Sequence, residues 1–315
     1  MFAYLLGLIA GVSQPVQTSV NTNLSQKLKS PYLSSVISFG TGTIWVAIIL
    51  AILDNGIHLP LRAIAQEPVW IWFGGLCGVG IVVLNILCLP KLGSAITVML
   101  LAFGQIMTGL VIDNWGLFGS QLVPMSLYRV AGAILLIAGV ALVSLKSKGK
   151  EVNSTGNSKS APVLYIVLAI IAGMLCTLQV AINGRLTTVA GDSWRCTLIS
   201  MSVGTWGCVM LIAILYLCKG RKGVFDDTVP DIDFHWYQLL GGVFAVIIVG
   251  SNAIIAPIIG TGIATVLNLI AQMGAGLVID ATGFLGIEKQ EITMKKIVGI
   301  LAMLVGTILI TFFNV

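Results

Sequence analysis

Charge is scarce in this sequence. Of 315 residues only 9% are Asp, Glu, Lys or Arg, against 57% hydrophobic residues. Soluble domains carry about a quarter charged residues, so the shortage excludes a water-soluble globule. Histidine is scarcer: His58 and His235 are the only two, and both fall in segments that read as loops. The six cysteines (Cys77, Cys88, Cys176, Cys196, Cys208, Cys218) stand singly in apolar segments with no C-x-x-C pair. A metal site is not expected from that pattern, and the thiols read as small buried hydrophobes. There is no nucleotide-binding loop, so ATP does not drive the protein directly. No nucleophile–base constellation is visible either, so neither an enzyme nor a cofactor is expected. The net charge of +5 comes mostly from lysines in short loops, without an aromatic-rich basic face, which argues against nucleic acid as a partner.

What is present is hydrocarbon. Runs of roughly 20 apolar residues recur, the length that crosses a bilayer as a helix. Hydropathy and loop punctuation place spans near 2–23, 33–53, 69–89, 93–113 and 126–145, then near 162–184, 196–218, 236–256, 261–283 and 294–314. Between the sets lies KSKGKEVNSTGNSKS (146–160), whose Lys, Ser, Gly and Asn content reads as a flexible linker. The opening MFAYLLGLIAGV has no basic n-region and is read as the first span, retained in the mature protein.

The two halves, 1–145 and 161–315, are copies. AGVSQPVQTSVNTNLS (10–25) is echoed by AGMLCTLQVAINGRLT (172–187). A step of 162 takes Gln17 to Gln179, Asn21 to Asn183, Ser38 to Ser200 and Gly42-Thr43 to Gly204-Thr205. Beyond a longer loop the step becomes 167, pairing Asn85 with Asn252 and Pro90 with Pro257. GQIMTGLVIDNWGLFG (104–119) then matches AQMGAGLVIDATGFLG (271–286). Five spans is an odd number, so the second copy enters the membrane upside down. The expected fold is an all-α integral membrane protein of ten transmembrane helices arranged as two inverted five-helix repeats.

Basic residues set the expected orientation. Thirteen, among them Lys27, Lys91, Lys150, Lys219 and Lys289, fall in loops after odd-numbered spans, against four (Arg62, Arg129, Arg185, Arg195) on the other face. The positive-inside rule then makes Lys150 cytoplasmic and puts both termini, including Val315, outside.

Gln17 and Asn21 are four residues apart, as are Gln179 and Asn183, so each pair shares a helix face. Gln17 stands roughly 22 Å along its helix from Phe2, past the middle of a ~30 Å core. An amide facing lipid is expensive, so all four should face protein or water. Two readings stand: hydrogen-bonded glue between helices, or the lining of one pathway. Gln105 and Gln272 fall near the centres of spans 4 and 9, with Asn268 one turn before Gln272 and Leu101 as its repeat partner. Contact with substrate and helix–helix glue are again the alternatives. Asn85 and Asn252 stand near the ends of spans 3 and 8. Asp113 and Asp280, each closing a Leu-Val-Ile-Asp run just before a glycine, read as helix-end groups, with proton carriage as the rival. No Asp, Glu, Lys or Arg lies near mid-membrane, so nothing advertises ion coupling.

Ten spans in two copies, with A-G-x-x-x-x-x-Q-x-x-x-N in the first helix and Q-x-x-x-G-L-V-I-D-x-x-G-x-x-G in the fourth, resemble the YdcZ-like branch of the bacterial drug/metabolite transporter superfamily. The resemblance covers essentially the whole chain. It implies a basket of ten helices in the inner membrane, with the first, third and fourth of each half around a central cavity, the second as gate and the fifth outside. Gln17, Asn85 and Gln105 fall on spans that would face that cavity. The Leu101/Asn268 difference departs from a symmetric site. The expected function is secondary transport of a small metabolite or drug-like solute by alternating access, outward more than inward, with a passive facilitator or channel as the alternative. The expected partners are the solute and the bilayer, with oligomerisation left open.

Overall fold

In the computed structural model the described residues are 1–53, 57–120, 122–144, 161–225, 235–259 and 261–312, so the expected linker, with Lys150, and the terminal Val315 lie outside them. The chain is helical, and no strand occurs among the described residues. α1 (Phe2–Leu28) and α2 (Pro31–Leu53) lead to the five-residue α3 (Leu61–Ala65), then α4 (Phe73–Leu92), α5 (Ser94–Trp115) and α6 (Leu127–Ser144). α7 (Ala161–Ala190), α8 (Ser193–Lys219), α9 (Gly241–Ile259), α10 (Thr261–Thr282) and α11 (Met294–Phe312) follow.

By length and apolarity seven helical segments among the described residues can cross a membrane: those of α2, α4, α5, α7, α8, α10 and α11. The other long helices fall short for physical reasons. α1 carries Gln14, Gln17, Asn21, Asn23 and Gln26, which lower its hydropathy. The apolar stretches of α6 and α9 are shorter, Leu127–Leu142 and Trp236–Ser251.

Helix ends recur in matched form. α5 stops at Gly116 and α10 at Gly283, with φ of 59° and 69°. The next turn holds Phe118 at φ 60° and Leu285 at φ 55°, each followed by a left-handed glycine, Gly119 or Gly286. A non-glycine side chain in that region is disfavoured, so two such turns at matched places reflect one local design used twice. At the start of α8, the Asp192 carboxylate accepts from the Trp194 and Arg195 amides at 2.9 and 3.1 Å, an N-cap that satisfies otherwise orphaned donors.

Helices α1–α6 interleave with α7–α11. α1 packs on α9 and α10, α7 on α4 and α5, α2 on α8, and α6 on α11. Glycines permit the tightest crossings. A Cβ on Gly132 would lie 2.5 Å from the Gly306 carbonyl oxygen, and one on Gly139 would lie 2.8 Å from that of Gly299. Small residues let membrane helices approach backbone to backbone. α2 meets α8 where the Thr43 and Thr205 hydroxyls are 3.1 Å apart, residues that are each other's counterparts 162 positions away.

Two ion pairs hold helix ends. Lys296 donates to Asp280 at 3.1 Å and Arg129 to Asp113 at 2.6 Å, the aspartates 0% and 38% exposed respectively. Asp280 also accepts the Ser94 and Ala95 amides at 2.5 and 3.2 Å, capping the start of α5. A carboxylate at a helix N-terminus meets both free N–H groups and the positive dipole end.

Candidate functional site

Between α1, α2 and α4 on one side and α7, α8 and α9 on the other lies a cavity of about 720 Å³, its open mouth included. Its wall is built from matched positions: Gln17 with Gln179, Gln14 with Cys176, Phe39 with Met201, Gly78 with Ala245, Ile81 with Ile248, and Val82 with Val249. Thr18, Asn21, Ser38, Asn85 and Ile86 complete the lining. Amides and hydroxyls thus share the wall with aliphatic side chains. Among the described lining residues none is Asp, Glu, Lys, Arg or His, so the site offers hydrogen bonds without charge.

The amides divide by what they already bind. Gln17 donates through Nε2 to the Gly241 carbonyl at 3.1 Å, tying α1 to the first residue of α9. Asn21 donates to Ser38 Oγ at 3.2 Å while its backbone carbonyl accepts the Ser34 hydroxyl at 2.6 Å. The second half repeats this. Asn183 donates to Ser200 Oγ at 3.2 Å, and its carbonyl accepts from the Cys196 thiol at 3.3 Å. Both asparagine Oδ1 atoms are buried with no hydrogen-bond partner, and each occupies the place that a Cβ would take on a glycine, Gly241 for Asn21 and Gly74 for Asn183. The glycine Cα–H therefore faces an amide oxygen, a weak but recurrent helix–helix contact.

Asn85 shares with Asn21 and Asn183 an unpartnered amide oxygen. It is 5% exposed, and its Oδ1 has no partner. It borders the central cavity and also a smaller hollow shared with Gln14, Thr18, Ser94 and Thr97. An unmatched buried acceptor costs on the order of 1–3 kcal/mol, and this one belongs to a residue of the cavity wall.

The structure thus brings Gln17, Asn21, Asn85 and Gln179 to one cavity. The other sequence candidates stand elsewhere. Asn183 is a half-buried tie to α8. Gln105 is half-buried, its backbone carbonyl accepts the Thr177 hydroxyl at 2.8 Å, and its side chain reaches the Cys176 thiol. Gln272 is 2% exposed with a partnerless Oε1, outside the residues that line the cavity. The Asn268 backbone meets Gly11, where α10 crosses α1. Asn252 belongs to α9, with its side chain outside the described residues. Sequence reasoning passed over Gln14, Thr18 and Cys176 as lining residues. The one available signal was helical spacing, since Gln14 stands three before Gln17, Thr18 three before Asn21 and Cys176 three before Gln179.

Two of the helices that line the cavity, α1 and α7, are tied to segments outside its wall. Asn23 accepts from the Gln238 side chain and donates to the Leu285 carbonyl at 2.7 Å. Arg185, the counterpart of Asn23, is paired with Glu67 at 2.8 Å near the surface.

The chain matches the model of the family described as "Putative inner membrane exporter, YdcZ" over residues 2–142 and 164–309. A search of curated proteins finds no match. Thirteen chains of solved structures match. One of them, titled only "Crystal structure of protein", shares 15% identity with a TM-score of 0.57, covering 99% of this chain and 97% of its own. At that identity the likeness concerns the fold alone.

Proposed function

Because the chain belongs to the YdcZ family of inner-membrane exporters, within the drug/metabolite transporter superfamily, we propose that it carries a small solute outward by alternating access. The observation that carries this reading is the central cavity walled by matched pairs from the two halves. A site on the axis between two equivalent halves can be closed at either end by the same contacts used in turn.

Several contacts support an inverted duplication of ten spans, with units 1–145 and 161–315 joined through 146–160. Thr43 touches its own counterpart, which two-fold relatives do only on the axis. Gly132·Gly306 and Gly139·Gly299 exchange under the same operation. So do Asn21·Ser38 and Asn183·Ser200, and the Asp113·Arg129 and Asp280·Lys296 pairs. The matched segments 2–142 and 164–309 fall on these two units. The basic bias of the loops orients the molecule with Lys150 in the cytoplasm and both termini outside. Reporter fusions at Lys150 and Val315 test this, and a cytoplasmic C-terminus overturns it.

The uncharged cavity favours one second reading, a passive facilitator with no coupled ion. Counterflow in proteoliposomes separates the two, with a solute chosen by a thermal-shift screen. A carrier gives saturable, transient uptake against the label gradient. Linear, non-saturating flux would leave only the facilitator.

A further inference from the structure

We infer that the central cavity selects uncharged solutes that donate a hydrogen bond to Asn85, and that Asn85 sets this selectivity; the inference rests on the transport reading above. Asn85 is 95% buried, and its Oδ1 lacks any hydrogen-bond partner. It stands in the cavity wall. Gln17 donates to the Gly241 carbonyl, and the Asn21 Oδ1, also without a hydrogen-bond partner, is seated against the Gly241 backbone where a Cβ would stand. A buried carbonyl oxygen left unmatched favours an occupant with an N–H or O–H group.

The rest of the wall bounds the occupant's body and charge. Ile81, Val82, Ile248 and Val249 give it hydrocarbon sides. An ion entering would leave water and meet no counter-charge, because no ionisable Asp, Glu, Lys, Arg or His is among the described lining residues. Desolvation of an unpaired ion dominates any gain from neutral amides. The solute class is therefore a small uncharged molecule with a donor group on an apolar body, such as an amide or an alcohol.

Cys176, in the same wall, provides a native reporter. The reconstituted natural chain is treated with three methanethiosulfonates of matched chemistry: neutral hydroxyethyl, cationic trimethylammonioethyl and anionic sulfonatoethyl. Mass spectrometry of the Cys176 peptide gives each rate, divided by the rate with free cysteine. The neutral reagent should lead both ions by at least about tenfold. Equal normalised rates, or a lead for either ion, would overturn the proposal. Asn85→Asp places a carboxylate in the wall and should raise the cation-to-neutral ratio about tenfold; an unchanged ratio removes Asn85 as the determinant.

The donor requirement has its own arm, which does not need that variant to fold. Isobutyramide should slow labelling of Cys176 by the neutral reagent more than N,N-dimethylisobutyramide, which has no N–H, and Asn85→Ala should erase the difference. Equal protection by both amides in the natural chain contradicts a donor to Asn85. Sidedness is a separate readout. Labelling of Cys176 from both membrane faces at once would defeat alternating access, while the charge ratio still decides the present proposal.

Discussion

Asn21 and Gly241 show how a polar residue and a small one specify each other inside a membrane bundle. Asn21 Oδ1 sits where a Gly241 side chain would begin, and its amide hydrogens hold Ser38. Gly241→Ala should therefore push α1 from α9 and destabilise the fold by about 1–3 kcal/mol, the cost typical of overpacking. Asn21→Ala in that background should recover part of the loss, because the clash partner is gone. Unfolding in detergent checks both variants; additive losses would contradict the contact. The matched pair Asn183 and Gly74 should behave alike. Cys196, counterpart of Ser34, makes the same bond to an asparagine carbonyl, so Cys196→Ser should cost little by the same assay. At this scale the sequence marks the polar positions and leaves their partners unmarked. Asn21, Asn183, Gln17 and Gln179 stand out as amides in apolar helices. Their partners, an isolated glycine or a serine one helix away, leave no mark that distinguishes them from other small residues.

At the scale of elements, Asp280 acts on three helices at once. It closes α10, caps α5 through Ser94 and Ala95, and pairs with Lys296 of α11. Asp280→Asn leaves Lys296, itself 8% exposed, as a buried cation. Losing one partner of such a pair typically costs about 3–5 kcal/mol. Asp113→Asn should cost less, since Asp113 is 38% exposed and water can substitute. Thermal unfolding of the two variants should rank them in that order, and Asp280→Asn with Lys296→Met should lie closer to the natural protein than Asp280→Asn alone. The reverse ranking would mean that the capping contact carries little.

Position along a helix was legible from the sequence, while rotation about its axis was not. The placement of Asp113 and Asp280 at helix ends followed from the glycines after them, and those glycines do terminate α5 and α10. Gln105 and Gln272 were correctly placed on α5 and α10, yet they stand outside the cavity lining while Gln14 and Thr18 are in it. A helix that is apolar on every face offers little contrast between the side facing lipid and the side facing a neighbour. Depth then comes from counting residues, and azimuth comes only from packing. The salt-bridge partners Arg129 and Lys296 lie 16 residues from their aspartates across a turn, a spacing that no local rule connects.

At the scale of the molecule, the interleaving of α1 with α9 and α10, and of α7 with α4 and α5, means that neither half encloses the cavity alone. Under the proposed alternating access, opening one end would part α1 or α7 from helices of the other half. In that reading the ties at the two ends are Asn23 with Gln238 and Leu285, and its counterpart Arg185 with Glu67. The most direct test of alternating access uses single cysteines at Gln17 and Gln179 in sided vesicles, each with and without Arg185→Ala. An exposed ion pair is worth at most about 1 kcal/mol, so its loss should shift the balance of states up to about fivefold. A membrane-impermeant thiol reagent on the Arg185 face should then label position 179 faster, while labelling of position 17 from the opposite face falls, because the two openings exclude each other. Faster labelling at 179 with no fall at 17 would mean both ends open together, and the account of the protein as an alternating carrier would be wrong.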